Sequence, residues 1–164
     1  MRAHEIMKKQ VIKVKEHDSV QSVIRKFMEY DISGLPIVND RNKIVAYISD
    51  GDIMRFIGKP NDIVIGTLFF AQAFKVDEDE FEERAQKVRE LNVMEIAQKT
   101  VYKVKWDEKI ENIAAILGKK QIKRLPVERN GVLVGIISRG DVIRNTFKSL
   151  NTCLKQPALK TQSC

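Results

Sequence analysis

Ile32-Ser33-Gly34-Leu35-Pro36-Ile37 returns later in the chain as Ile122-Lys123-Arg124-Leu125-Pro126-Val127, at an offset of about 90 residues. The same offset lays Ala3–Val14 (AHEIMKKQVIKV) on Val93–Val104 (VMEIAQKTVYKV). One residue is then dropped from the second copy, in the turn before its third strand. Ile48-Ser49-Asp50-Gly51-Asp52 then meets Ile137-Ser138-Arg139-Gly140-Asp141. About 16 of about 52 paired positions are identical, and most others exchange like for like, as in Val20/Ile110, Val23/Ile113 and Phe27/Leu117.

Within each copy the periodicity changes in the same order. Val11-Ile12-Lys13-Val14 and Val101-Tyr102-Lys103-Val104 alternate as strands do. A helix follows. In the first copy Asp18 or Ser19 can cap it, and Val20, Val23, Ile24 and Phe27 recur at helical spacing. In the second, Asp107 can cap it, and Ile110, Ile113, Ala114 and Leu117 form the stripe. Two more strands are expected at Leu35–Val38 and Ile44–Ile48, and at Leu125–Glu128 and Val132–Ile137. They are joined by the turn-formers Asn39-Asp40-Arg41-Asn42 and Arg129-Asn130-Gly131. A final helix starts at Asp52 and at Asp141. A copy of about 50 residues buries too little surface to be comfortable alone. The expected fold is therefore α+β: two β-α-β-β-α modules packed as a pseudo-twofold pair, with a partly helical connector.

Residues 1–57 and 92–147 are the expected modules, 58–91 the connector and 148–164 a polar, fraying tail containing Pro157. The connector holds six carboxylates in the seven residues Asp77–Glu83, with Phe81, Arg84, Ala85, Val88 and Leu91 following at helical spacing. Acidic residues first and Arg84, Lys87 and Arg89 later suit a helix dipole. Consecutive side chains on a helix do not converge, so this is read as an amphipathic helix and not as a metal cluster.

The 164 residues (18.8 kDa) are 43% hydrophobic and 31% charged, values that exclude wholesale disorder and fibrous repeats. The longest apolar stretch, Ile63–Phe74, is too short to span a membrane and is broken by Gly66, Thr67 and Gln72. Met1–Gln10 has no apolar core of a secretion signal. The two cysteines, Cys153 and Cys164, can build neither a disulfide framework nor a four-ligand zinc site from one chain. A cytoplasmic protein is expected. The net charge of +7 is uneven: +3 over residues 1–60, −4 over 61–91 and +8 over 92–164. The basic last part suits phosphate-bearing partners or is a solvated lysine-rich surface.

The lead-ins Glu5-Ile6-Met7 and Glu95-Ile96-Ala97, the Gly34-Leu35-Pro36 and Arg124-Leu125-Pro126 turns, and the Ile48–Asp52 and Ile137–Asp141 ends together resemble a tandem pair of CBS domains, the Bateman module. The resemblance covers about residues 1–57 and 92–147. It implies two clefts between the modules that take adenosine-containing ligands: AMP, ADP, ATP or S-adenosylmethionine. It also implies further pairing into a homodimer and regulation of a partner protein. Glu5 and Glu95 stand where the family usually has Asp, and Arg124 where it has a small residue.

Ser49-x-x-Asp52 and Ser138-x-x-Asp141 each fall where a strand hands over to a helix, whose free N–H groups suit polar or anionic ligands. Such an Asp can accept two hydrogen bonds from a ribose diol, and the serine can add a third contact. The same spacing also makes a helix cap, with Asp in the capping-box position. The two readings are compatible. Gly34 and Pro36, with Arg124 and Pro126, would form the other wall. Gly34 permits close approach of a flat ring, and Arg124 either reaches a base or phosphate or occludes its cleft. Backbone around Val11-Ile12 and Val101-Tyr102 would read an adenine edge. Arg55, Arg139 and Arg144 are candidate phosphate partners or ordinary surface arginines. Catalysis finds little support: His4 and His17 are the only histidines, and no Gly-rich phosphate loop, HExxH or GxSxG is present. No catalytic residue, metal or obligatory cofactor is expected. The leading function is an adenosyl-ligand sensor. The alternative is a dimerisation or interaction module docking a protein. Nucleic acid is disfavoured, because the basic residues lack interleaved aromatics.

Overall fold

Residues 1–58 and 81–154 are described in a computed structural model of the chain. Ile63–Phe74, the acidic Asp77–Glu80 and Cys164 fall outside them. The elements in order are α1 (Ala3–Ile6), β1 (Val14–Lys15), α2 (Val20–Tyr30), β2 (Gly34–Val38), β3 (Ile44–Ser49), α3 (Asp50–Ile57), α4 (Phe81–Glu90), α5 (Val93–Ile96), β4 (Val104–Lys105), α6 (Ile110–Lys119), β5 (Arg124–Arg129), β6 (Val132–Ser138) and α7 (Arg139–Leu154). They sort into two compact units: Ile12–Val101, and Met1–Val11 with Tyr102–Cys164. The opening segment of each repeat therefore belongs to the unit holding the other repeat's sheet.

In the Ile12–Val101 unit the sheet order is β1-β2-β3, with β1 parallel and β3 antiparallel to β2. Val11–Val14 alternates like a strand, yet β1 has only two residues. Its register sets Val14 against Ile37, so one step back would put Lys13 against Pro36. Proline has no N–H to give the ladder, and pairing stops there. The second unit repeats this: β4 reaches β5 only at Val127 and Glu128, just past Pro126.

The expected stripe on α2 is buried through Val20 and Val23 against Leu35, Ile37, Ala46 and Ile48, with Ile24 and Phe27 partly covered. The connector helix is α4. It lies on α2 and α3, buries Val88, and its Arg84 Nε donates to the Ile57 carbonyl at 2.9 Å. Helix α5 adds the fully buried Val93 to the same core.

The second unit carries the sheet β4-β5-β6 under α6 and α7. Asn130 (φ 53°) and Gly131 (φ 79°) make the two-residue hairpin between β5 and β6, a left-handed pair that this turn type requires. The four-residue α1 fills this core with Ala3 and Ile6, packed with Ile113, Leu125, Val127 and Ile137. Lys8 extends the sheet by exchanging both backbone bonds with Ile136, each 3.0 Å. Gln98 does the same with Tyr47 in the other unit, each 2.9 Å.

Two expectations change. Asp107 does not cap α6: Lys109 holds the cap position, and the Ile110 N–H goes to the Met1 carbonyl at 3.1 Å. Likewise the Val20 N–H goes to the Leu91 carbonyl at 2.9 Å. Ser19 caps α2 without a side-chain bond, and the Asp18 carboxylate takes the Lys15 N–H instead. A distant backbone carbonyl thus satisfies the first orphan donor of each helix, a task that side-chain caps usually perform. Helix α7 also continues past Phe147 to Leu154, because no Gly or Pro interrupts it between Gly140 and Pro157.

Candidate functional sites at the two strand-to-helix junctions

Strand β3 ends at Ser49, and α3 begins at Asp50, two residues before the expected Asp52. This places Asp52 in the first turn, where its carboxylate folds back over the cap. Oδ2 accepts from the Ser49 N–H at 2.8 Å and the Ser49 hydroxyl at 2.9 Å. Oδ1 accepts from Arg55 Nη2 and from Gln98 Nε2, the latter at 2.8 Å. The Asp52 side chain is 0% exposed, whereas Arg55 is 65% exposed. A buried carboxylate is costly unless its lone pairs are filled. Here all the in-plane acceptor positions are taken by protein donors.

The second junction repeats the core of this arrangement. Asp141 Oδ2 accepts from the Ser138 N–H at 2.8 Å and the Ser138 hydroxyl at 2.6 Å, and Oδ1 accepts from Arg144 Nη2 at 2.6 Å. Ser138 Oγ in turn accepts the Asp141 N–H at 3.2 Å. Burial pushes the Asp141 pKa up. The two Ser138 hydrogen bonds, Arg144 and the charge of Lys8 outweigh burial and hold it below the ordinary 3.8. Asp52 and Asp141 are the buried charged residues among those described. The helix cap and the candidate ligand carboxylate are thus the same atoms.

The other wall differs between the sites. Gly34 stands opposite Ser49 in the ladder, and a Cβ there would lie 2.7 Å from the Tyr47 hydroxyl. In the second unit Arg124 stands opposite Ser138, and Ile136 replaces Tyr47 at the equivalent position. The shorter Ile136 leaves the room that a side chain at 124 needs. Pro36 and Pro126 are buried in β2 and β5. Ile12 and Val101, half-buried, belong to the unit with Ser49, Asp52 and Gly34. Val11 and Tyr102 belong to the unit with Ser138, Asp141 and Arg124. Tyr102 is exposed, with Lys120 Nζ 5.1 Å from its ring centroid.

Arg139 does not join the Asp141 cluster. Its Nε donates to the Ile122 carbonyl at 2.8 Å and its Nη2 to the Leu117 carbonyl at 3.2 Å, closing the C-terminal end of α6. It lines a groove of about 560 Å³ with Ala114, Leu117, Gly118, Gln121, Val142 and Ile143. Sequence reasoning missed Gln98 and Lys8. The signal was in the repeat: they occupy equivalent positions in VMEIAQKTVYKV and AHEIMKKQVIKV. Among the described residues no three His, Cys, Asp or Glu side chains could hold a metal ion together, and no helix is long and apolar enough to cross a membrane.

A family model for the CBS domain matches residues 3–59 and 93–147. The chain is similar to the uncharacterized protein MJ1426 of Methanocaldococcus jannaschii, 33% identical over 149 residues and covering 85% of this chain and 87% of that one. Among solved structures it is similar to CBSX2 in complex with AMP, with a TM-score of 0.68, 22% identity, and 91% of this chain and 98% of that one covered. It is likewise similar to the CBS domain pair of protein MJ0100 in complex with 5′-methylthioadenosine and S-adenosyl-L-methionine, with a TM-score of 0.66, 21% identity, and 91% and 98% covered.

Proposed function

This chain belongs to the CBS domain family, and from that premise we propose that it is a regulatory CBS pair whose Asp52 and Asp141 bind the ribose of an adenosine-containing ligand. The observation that carries the proposal is the pair of buried carboxylates, each aimed by its own Ser hydroxyl and backbone N–H at the start of a helix. A vicinal diol complements such a carboxylate, and the first turn's N–H groups and partial positive charge suit the polar remainder of a nucleotide. The solved relatives named with AMP, 5′-methylthioadenosine and S-adenosyl-L-methionine support the ligand class. Binding of this kind regulates by population shift: a ligand changes the chain's affinity for a partner protein only by its own preference for one conformation. The role is one of binding and not of catalysis.

Thermal unfolding of the full chain with about 1 mM AMP, ADP, ATP, S-adenosylmethionine or GTP, with and without Mg²⁺, tests it. A ligand at 100 times its Kd adds about 2.7 kcal/mol, a shift of about 5–10 °C for a chain of this size. A selective shift by an adenosyl ligand that is lost in D52N, D141N or their double variant supports the assignment. Equal affinity in all three variants refutes it.

We further propose that the chain forms a homodimer. Ile143, Phe147 and Leu150 recur at helical spacing along α7 and are each more than half exposed, and Ile143 also lines the α6–α7 groove. A stripe of that kind on a soluble domain is an association surface. Light scattering giving a monomer mass at micromolar concentration would refute this.

A further inference from the structure

The two carboxylate sites are built to one plan but carry different charge, and the difference falls at positions the fold makes equivalent. Lys8 and Gln98 are each anchored by a reciprocal pair of backbone bonds to the third strand of their sheet, at Ile136 and Tyr47 respectively. Strands β3 and β6 lead directly into the helices that carry Asp52 and Asp141. In the Ile12–Val101 unit this position supplies a neutral amide, and Gln98 Nε2 donates to Asp52 Oδ1. In the other unit it supplies an ammonium whose charge acts on Asp141. The wall opposite the serine changes in the same direction, from Gly34 to Arg124. Arg55 and Arg144 bind their aspartates alike, and Lys9 and Lys99 match, so these do not discriminate. Arg139, the repeat mate of Asp50, spends its guanidinium on the Leu117 and Ile122 carbonyls and does not add to the difference. The Asp141 unit therefore carries two basic residues, Lys8 and Arg124, at the positions where the Asp52 unit has Gln98 and Gly34.

Resting on the ribose-site reading above, we infer that the sites are selective by charge: the Asp141 site takes a phosphate-bearing adenosine ligand, and the Asp52 site takes an adenosyl ligand without a phosphate. A phosphate gains charge-assisted bonds from a lysine and an arginine. At the Asp52 site it would meet the Asp52 carboxylate with Arg55 as the matched cation and the neutral Gln98 in place of a lysine. A neutral or sulfonium-bearing ligand avoids that repulsion. Lys8 and Gln98 are thus specificity-determining residues for the two sites.

Isothermal titration of the full chain with AMP and with adenosine tests this, using D52N and D141N to assign each binding event to its site. AMP should bind about 10-fold more tightly than adenosine at the Asp141 site, the size of one charge-assisted hydrogen bond. Added salt should erode that ratio, and the Asp52 site should show no such preference. K8Q should bring AMP down about 10-fold while leaving adenosine within about twofold. Q98K should give the Asp52 site an AMP preference of similar size. Two results overturn the inference alone: a wild-type Asp52 site that prefers AMP as strongly as the Asp141 site, or K8Q weakening both ligands equally. Binding of neither AMP nor adenosine to the wild-type chain overturns the ribose-site reading, and this inference with it. Where an aspartate variant fails to fold, K8Q and Q98K decide, because they alter exposed residues that hold their place through backbone bonds.

Discussion

Gly135 lies in the interior of β6, where a Cβ would approach the Met7 Sδ closely, its Cγ at 2.8 Å and its Cβ at 3.1 Å. The repeat-equivalent pair in the other unit is Ala46, within its core cluster, and Ala97, partly buried against that cluster. One unit thus packs a glycine against a methionine, and the other packs two alanines. G135A should therefore destabilise the chain. Forcing a methyl into occupied space costs about 1–3 kcal/mol, offset by about 0.4–1 kcal/mol from the lower entropy of the unfolded chain. The net loss is about 1–2 kcal/mol, or roughly 2–8 °C in Tm. Rotating Met7 about its side-chain bonds cannot relieve the contact fully, because its Cβ is fixed to the backbone that pairs through Lys8 with Ile136. M7A alone should cost about 1–2 kcal/mol through lost burial. In the double variant M7A/G135A the clash is gone and the alanine pair of the other unit is rebuilt. The double should be more stable than the sum of the singles by about 1–2 kcal/mol, a coupling expected of side chains in direct contact. Urea unfolding followed by circular dichroism, with thermal melts in parallel, reads all four corners of the cycle. A G135A variant as stable as wild type, or a double variant equal to the sum of the singles, would refute the packing account.

Asp141 has a native pKa below its unfolded value, so its contribution to stability is complete above about pH 4 and is lost as pH falls through the lower native value. Thermal melts between pH 2 and 6 should show D141N losing part of the wild-type slope below about pH 4, and an unchanged slope would contradict the hydrogen-bond assignment. D52A removes the acceptor for the Ser49 N–H and hydroxyl and should cost about 1–2 kcal/mol even without ligand; a melt within experimental error of wild type would show that the capping role is negligible. R139A frees the Leu117 and Ile122 carbonyls at the end of α6 and should cost about 0.5–1 kcal/mol. It should also leave AMP affinity within about twofold, and a tenfold loss on titration would return Arg139 to the ligand site.

Element types were legible because the forces that set them are local. The stripe Val20-Val23-Ile24-Phe27 and the alternation Val132–Ile137 announce their periods within a few residues, and the duplication doubled each signal. The Ser-x-x-Asp junctions were legible for the same reason, since a capping box closes over three residues. The sequence by itself therefore determined two β-α-β-β-α copies, the amphipathic α4, and the serine and aspartate at each junction. Only the tertiary structure decided the rest. Ala3 and Ile6 are buried against a sheet encoded about a hundred residues later, and their pattern is too short to say against which sheet they pack. That pairing puts Lys8 beside β6 and Gln98 beside β3, and a hydrogen bond such as Gln98 to Asp52 joins residues 46 positions apart. It also supplies the carbonyls that replace side-chain caps on α2 and α6, so a cap at Asp107 was a sound local inference overruled by a remote backbone. Nor could periodicity reveal that Arg139 would turn to α6, because an arginine at a helix start has several carbonyls within reach and packing selects among them. Local pattern specifies which groups exist at each junction; burial of distant segments specifies which charges surround them.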